Sequence, residues 1–144
     1  MQKVTFQELL DRVVAADPRY RREAYVFVRE ALSHAQERFA DGRPESERHV
    51  TGQQLLEGIR EYAVAEYGPM ILHLLQEWGI RRCEDFGEIV FNLIEHQFLK
   101  KTETDRREDF AGGYDFEVAF RDPFLPASQV ALRRQSAAVP PNPA

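Results

Sequence analysis

Residues 78–116 read WGIRRCEDFGEIVFNLIEHQFLKKTETDRREDFAGGYDF, and this segment carries the most informative pattern of the chain. Apolar residues recur at helical spacing across 86–94, which predicts an amphipathic fifth helix. The residues that follow predict a strand over 98–103, a turn over 104–107 and a return strand over 108–110. The pattern therefore predicts a helix that leads into a small β-hairpin.

Four further helices are predicted upstream of this segment. Thr5 and Glu8 form a capping-box pattern at the start of the first helix, and Thr51 and Gln54 repeat it before the third. The polar run 40–48 contains Gly and Pro, which indicates a surface loop. We therefore expect two helical pairs ahead of the fifth helix.

An aromatic segment follows the predicted hairpin. Phe110, Tyr114, Phe116, Phe120 and Phe124 recur within fifteen residues. Because aromatic side chains bury large areas, we expect most of them to pack as a strap across the helical core. Any part of the strap that stays exposed would form a binding patch for a partner.

These patterns predict one mainly α domain over residues 1–121, with about five helices and a small β-hairpin. The chain of 144 residues is long enough for a single packed core. The Pro- and Ala-rich remainder, 122–144, is expected to be a flexible and disordered C-terminal tail. A winged-helix-like part is possible over 51–121.

Composition narrows the classes of function. Acidic residues outnumber basic ones by 24 to 19, which gives a formal net charge of -5. Such a chain repels polyanions, including nucleic acid and anionic membrane surfaces, unless it carries a local basic patch. Composition thus disfavours nucleic acid and a membrane as partners.

The lone cysteine and the absence of long apolar runs bear on location. Cys83 is the only cysteine, so it has no partner for an intramolecular disulfide or a thiolate metal site. The first residues lack the apolar core of a signal peptide, and no apolar run is long enough to span a bilayer. We expect a cytoplasmic protein.

Three segments carry a resemblance to a known family. They are EDFGEIVFNLIEHQFLKKTETDRREDF at 84–110, GIREYAVAEYGPM at 58–70 and WGI at 78–80. The chain resembles an uncharacterised family of conserved hypothetical proteins from planctomycete and verrucomicrobial bacteria, over about Val4 to Phe120. The resemblance implies a bacterial cytoplasmic origin and supplies no catalytic residues.

A weaker, local resemblance is to winged helix-turn-helix regulators, because LIEHQFLKKTETDRRED is similar to their recognition helix, second strand and wing. Acids oppose DNA binding through this architecture. Glu84, Asp85 and Glu88 occupy the turns of the fifth helix that would enter a major groove. The wing is also net neutral, because four acids match its four basic residues Lys100, Lys101, Arg106 and Arg107.

A polar set on the fifth helix is the nearest approach to a catalytic or metal site. Glu88, Asn92 and His96 lie at successive helical turns and could line a polar groove. The set lacks the His-x-x-x-His or Glu-x-x-His spacing of metal ligands. No nucleotide-binding loop or nucleophile elbow is present. We therefore expect no cofactor or metal and no catalytic residues.

The leading hypothesis is a non-enzymatic protein-interaction or adaptor module of unknown pathway. Its partner is another protein or a second copy of the chain. The candidate interaction surface combines the hairpin with the aromatic strap and comprises Lys100, Lys101, Arg106, Arg107, Tyr114 and Phe116. The alternatives are a winged-helix-like nucleic-acid-binding regulator and, third, a small enzyme.

Overall fold

The computed structural model describes residues 5–44, 48–99 and 106–138, with side chains up to residue 132, and this part of the chain is mainly α-helical. It contains seven α-helices, labelled α1 to α7 in chain order. Their bounds are Phe6–Ala16, Arg22–Phe39, Gly52–Tyr67, Ile71–Glu77, Cys83–Glu95, Phe116–Phe120 and Ala127–Ala138. Short 3-10 turns lie at Gly68–Met70, Arg107–Phe110 and Asp122–Phe124. The prediction of a mainly α protein is confirmed.

Both predicted helix starts occur as expected. Thr5 Oγ1 accepts a hydrogen bond from the Glu8 amide at 3.1 Å, at the start of α1. At α3 the capping box is complete: Thr51 Oγ1 accepts from the Gln54 amide at 3.1 Å, and Gln54 Oε1 accepts from the Thr51 amide at 3.0 Å. These bonds satisfy amides that the first helical turn leaves without partners.

Two turns meet at the end of α4. Gly79 has φ of +92° and closes α4, and the Ile80 amide donates to the Leu75 carbonyl at 2.8 Å. A Cβ atom on Gly79 would lie 2.3 Å from the Arg19 carbonyl oxygen. The Arg21 amide donates to the Trp78 carbonyl at 3.1 Å. The turn between α1 and α2 is therefore fixed against the turn between α4 and α5.

The core is built around α2, which packs against α1, α3 and α5. Phe27 of α2 is fully buried, and its ring centroid lies 5.6 Å from that of Trp78 and 6.4 Å from that of Phe86. The ring centroid of Phe86 in turn lies 5.6 Å from that of Phe116 in α6. The predicted aromatic strap thus continues a line of rings that begins in α2.

The predicted β-hairpin is wrong. No strand occurs within 5–44, 48–99 or 106–138, and Arg107–Phe110 form a 3-10 turn where the return strand was expected. Just beyond the end of α5, Gln97 has φ of 64°, and the Phe98 amide donates back to the Leu93 carbonyl at 2.9 Å. Residues 100–105, which include most of the expected first strand, lie outside the described residues.

Burial of one ring explains the 3-10 turn. Phe110 is 3% exposed and occupies a slot between Gly52 of α3 and Gly87 of α5. Arg107 lies 3.6 Å from carboxylate oxygens of both Glu88 and Glu95 on α5. A hairpin that projects into solvent would lose both contacts, so the tertiary packing outweighs the short strand-like pattern. The winged-helix-like architecture therefore lacks its wing in the described residues.

The predicted disordered tail is also wrong for Ala127–Ala138, which form α7. The helix begins after Pro126, whose carbonyl accepts from the Gln129 amide at 3.0 Å. Alanine is the best helix former, and a proline ahead of the first turn does not interrupt the helical hydrogen bonds. The division of the chain at residue 121 stays a prediction.

No helix among the described residues combines the length and the apolar character that crossing a bilayer requires.

Candidate functional site

The predicted polar groove serves as a structural anchor. Asn92 is 8% exposed, and its Nδ2 donates to Asp17 Oδ2 at 2.9 Å and to the Tyr25 hydroxyl at 3.0 Å. His96 Nδ1 lies 2.9 Å from the Asn92 carbonyl oxygen. Glu88 Oε2 lies 3.3 Å from an Arg19 Nη2 atom. Each side chain thus has a structural partner, and Glu88 and Asn92 belong to one network through the Arg19–Asp17 pair.

The charge on Asp17 belongs to this anchor. Arg19 donates to the carboxylate from Nε at 2.9 Å and from Nη2 at 2.7 Å. These bonds, aided by Asn92, hold the pKa of Asp17 well below its usual range. The pair joins the turn between α1 and α2 to α5, and it leaves Asp17 in its charged form at neutral pH.

Asp85, at the start of α5, has structural partners as well. Asp85 Oδ2 accepts from the Arg81 amide at 2.8 Å and from the Arg82 amide at 3.2 Å. Its Oδ1 accepts from the Tyr20 hydroxyl at 2.6 Å, and burial raises the pKa of Tyr20 above its usual value. Asp85 therefore caps α5 and attaches it to the chain ahead of α2.

Of the aromatic members of the predicted interaction surface, Phe116 lies in the core and Tyr114 packs against it, half-buried. The Tyr114 hydroxyl donates to the Leu56 carbonyl at 2.9 Å, and burial raises the pKa of Tyr114 well above its usual value. Phe116 is 8% exposed. Arg107 is held by its ion pairs with α5. Lys100 and Lys101 lie outside the described residues.

Cys83 is equally enclosed. Its side chain is 1% exposed, and burial raises the pKa of the thiol to about 11. The thiol donates to the Tyr114 carbonyl across 3.5 Å. Since the thiolate is the nucleophilic form, Cys83 is a packing residue rather than a reactive one at neutral pH. Within 5–44, 48–99 and 106–138 there is no cluster of side chains that could hold a metal ion.

Arg106 belongs to a different feature, a cleft between α2, α3, α5 and the Arg107–Phe110 turn. We call it the α2–α5 cleft; its volume is about 510 Å³. Its floor is apolar and includes Leu32, Leu55, Val90, Ile94, Phe98 and Leu99. This volume falls in the range of pockets that hold ligands or anchor side chains, about 300–1,000 Å³.

Phe110 forms one end of the α2–α5 cleft. A Cβ atom on Gly87 would lie 2.9 Å from two atoms of the Phe110 ring, and one on Gly52 would lie 2.8 Å from Asp109 Cβ. The two glycines therefore create the space that admits the turn. A glycine inside a helical pattern signals such a close approach, but the sequence alone does not show what approaches it.

The rim of the cleft carries two arginines. Among the described residues, Arg48 and Arg106 both line it, together with one acid, Asp109, which is half-buried. Arg48 Nε donates to the Arg43 carbonyl at 2.9 Å, which orients its guanidinium. Neither arginine takes part in the ion pairs recorded among the described residues. The sequence analysis placed residues 40–48 in a surface loop and gave no sign that Arg48 borders a cleft.

Comparisons with models of protein families, with curated proteins and with solved structures each gave no match. The resemblance to conserved hypothetical proteins of planctomycete and verrucomicrobial bacteria therefore stays a prediction.

Proposed function

We propose that this protein is a non-enzymatic interaction module, located in the bacterial cytoplasm, that binds a segment of a partner protein in the α2–α5 cleft. The observation that carries the proposal is the cleft itself, which has a volume of about 510 Å³ and apolar residues in its floor. The cleft replaces the surface predicted from the aromatic strap, because Phe116 is buried and the half-buried Tyr114 directs its hydroxyl to the Leu56 carbonyl.

The cleft offers a partner an apolar floor and a polar rim. Anchor side chains of a partner gain most of their binding energy in well-packed apolar depressions surrounded by a polar rim. Phe98 is 37% exposed at the edge of the floor, and its other face packs on Phe6 with ring centroids 5.0 Å apart. A partner side chain that covers Phe98 would extend this aromatic contact at little entropic cost, since Phe6 already restrains the ring.

Site-specific photocrosslinking in the native cell tests the proposal. Phe98 is replaced by benzoylphenylalanine, which keeps an aromatic ring at the position. The matched control carries the same photoreactive group at Met70, which is 61% exposed and lies outside the cleft. We expect a defined protein crosslink from position 98 that is missing from position 70. Far-UV circular dichroism checks that both variants fold.

The possible outcomes separate the alternatives. A crosslink from position 98 that disappears in the additional variant Val90→Asp supports the cleft. Crosslinks that are identical from both positions, or absent from position 98, contradict the proposal. A crosslink to a second copy of the chain would assign the cleft to self-association. Recovery of nucleic acid at position 98, lost after nuclease treatment, would favour a nucleic-acid-binding function.

A further inference from the structure

We infer that the partner segment held in the α2–α5 cleft is amphipathic and acidic, with apolar side chains on the floor and carboxylates beside Arg48 and Arg106. This inference rests on the proposed function and specifies the chemistry of its partner. Arginines at the rim of the cleft complement the charge of an acidic segment.

Six of the fourteen arginines whose side chains the structure describes are neutralised by ion pairs. Ion pairs join Arg19, Arg22, Arg38, Arg60, Arg107 and Arg121 to carboxylates of the same chain. Arg48 and Arg106 do not enter these pairs, and both lie at the rim of an apolar cleft. In a chain with a net charge of -5, the described residues of the cleft rim carry two arginines against one aspartate and so have a net positive charge.

The guanidinium of Arg48 and the backbone of Arg106 are held in place before a partner arrives. Arg48 is oriented by its bond to the Arg43 carbonyl. Arg106 directly precedes Arg107, which is fixed to α5 through Glu88 and Glu95, and the buried Phe110 follows. A guanidinium with a fixed base loses little freedom when it binds a carboxylate in a bidentate manner.

The apolar floor strengthens this preference. An ion pair at an open surface contributes little, because water screens it. A partner that covers the floor excludes water from the rim, so attraction between an arginine and a carboxylate grows as the local dielectric constant falls. A basic segment would instead place like charges at the same partly desolvated rim. The cleft therefore selects acidic segments over basic ones of equal apolar content.

Three synthetic peptides test the inference. They share one helix-forming set of leucine positions, and their polar positions are filled with glutamate, glutamine or lysine. Fluorescence anisotropy measures their binding to the full chain, to the double variant Arg48→Glu with Arg106→Glu, and to a control double variant, Arg21→Glu with Arg81→Glu. The control makes the same charge change at exposed arginines outside the cleft. Dodecanoate below its micelle concentration is titrated in parallel.

We expect the glutamate peptide to bind at least about tenfold more tightly than the lysine peptide, with the order reversed in the cleft double variant and unchanged in the control. Its affinity should fall as ionic strength rises. Equal affinities for the three peptides, or no binding of any up to about 1 mM, overturn the inference. Tighter, arginine-dependent binding of dodecanoate also overturns it, in favour of a small amphipathic anion. The crosslinking from position 98 decides the proposed function independently of these results.

Discussion

Gly87→Ala should destabilise this protein, although alanine normally favours helices over glycine. In an ordinary helix interior the exchange gains about 1 kcal/mol. Here the added Cβ would lie 2.9 Å from two ring atoms of Phe110 and 3.0 Å from its Cβ. Overpacking of this kind costs about 1–3 kcal/mol. We expect a net decrease of about 1 kcal/mol in the free energy of unfolding, because the steric cost exceeds the gain in helix propensity.

The sign of the effect should depend on Phe110. Phe110→Ala removes the obstructing ring, and it should itself lower the free energy of unfolding by about 3 kcal/mol, since the ring is 3% exposed. In that background only the 3.0 Å contact with the Cβ atom of residue 110 remains, and the 3-10 turn can shift to relieve it, so Gly87→Ala should stabilise by up to about 1 kcal/mol. The difference between the two backgrounds corresponds to a coupling of up to about 2 kcal/mol.

Urea unfolding of the four proteins provides the measurement. It is followed by circular dichroism and by the fluorescence of Trp78, the only tryptophan. Gly58→Ala is the matched control: it also lies inside a helix, and its Cβ would lie 2.5 Å from Ala35 Cβ, away from the slot. Its cost should be the same in both backgrounds.

Stabilisation by Gly87→Ala in both backgrounds would refute the reasoning. It would mean that Phe110 does not occupy the slot, and the Arg107–Phe110 turn would then have no packing that holds it against α5. The end wall of the α2–α5 cleft would be lost with it. An equal destabilisation in both backgrounds would point to a clash with α5's other neighbours and would be equally incompatible with the slot.

Three other predictions follow from the anchor and the core. Asn92→Ala should lower the free energy of unfolding by about 1–3 kcal/mol in urea titrations, because the Tyr25 hydroxyl and Asp17 each lose a buried partner. The pKa of Asp17 is lowered in the folded state, so its contribution to the free energy of unfolding is complete above its ordinary pKa of 3.8 and is lost as the pH falls toward the folded value. Asp17→Asn should therefore flatten the dependence of stability on pH in that acidic window. Cys83 should react with a thiol reagent at neutral pH only as fast as the protein unfolds locally, since the thiol is 1% exposed and has a pKa of about 11. Fast labelling of the native protein would contradict the burial of Cys83.

Local signals predicted the first five helices well, because their causes lie within a few residues. Thr51 and Gln54 specify the start of α3 through two hydrogen bonds that involve only themselves. The caps and the apolar spacing of α5 act over similarly short distances. Asp115, which caps α6 by accepting from the amides of Glu117 and Val118, belongs to the same class of short-range signal.

The Arg107–Phe110 turn and the cleft could not be predicted in this way, because their causes are distant in sequence. Whether Phe110 ends a strand or fills a slot depends on Gly52 and Gly87, which lie on different helices. The role of Arg107 depends on which carboxylates α5 presents to it. The alternation of residues near 98–103 suggested a strand, but it contained no information on a pairing partner.

Charges at the start of α5 show how the same limit affects inferences about function. Glu84, Asp85 and Glu88 favoured a protein partner in the sequence analysis, because acids at an exposed helix start repel DNA. In the structure, however, Asp85 caps α5 and Glu88 pairs with two arginines, so two of these three acids are engaged within the chain. The preference for a protein partner must therefore rest on the α2–α5 cleft instead. If replacing Arg48 and Arg106 by glutamate left binding of an acidic peptide unchanged, this second basis would fail, and the acids of α5 could not restore it.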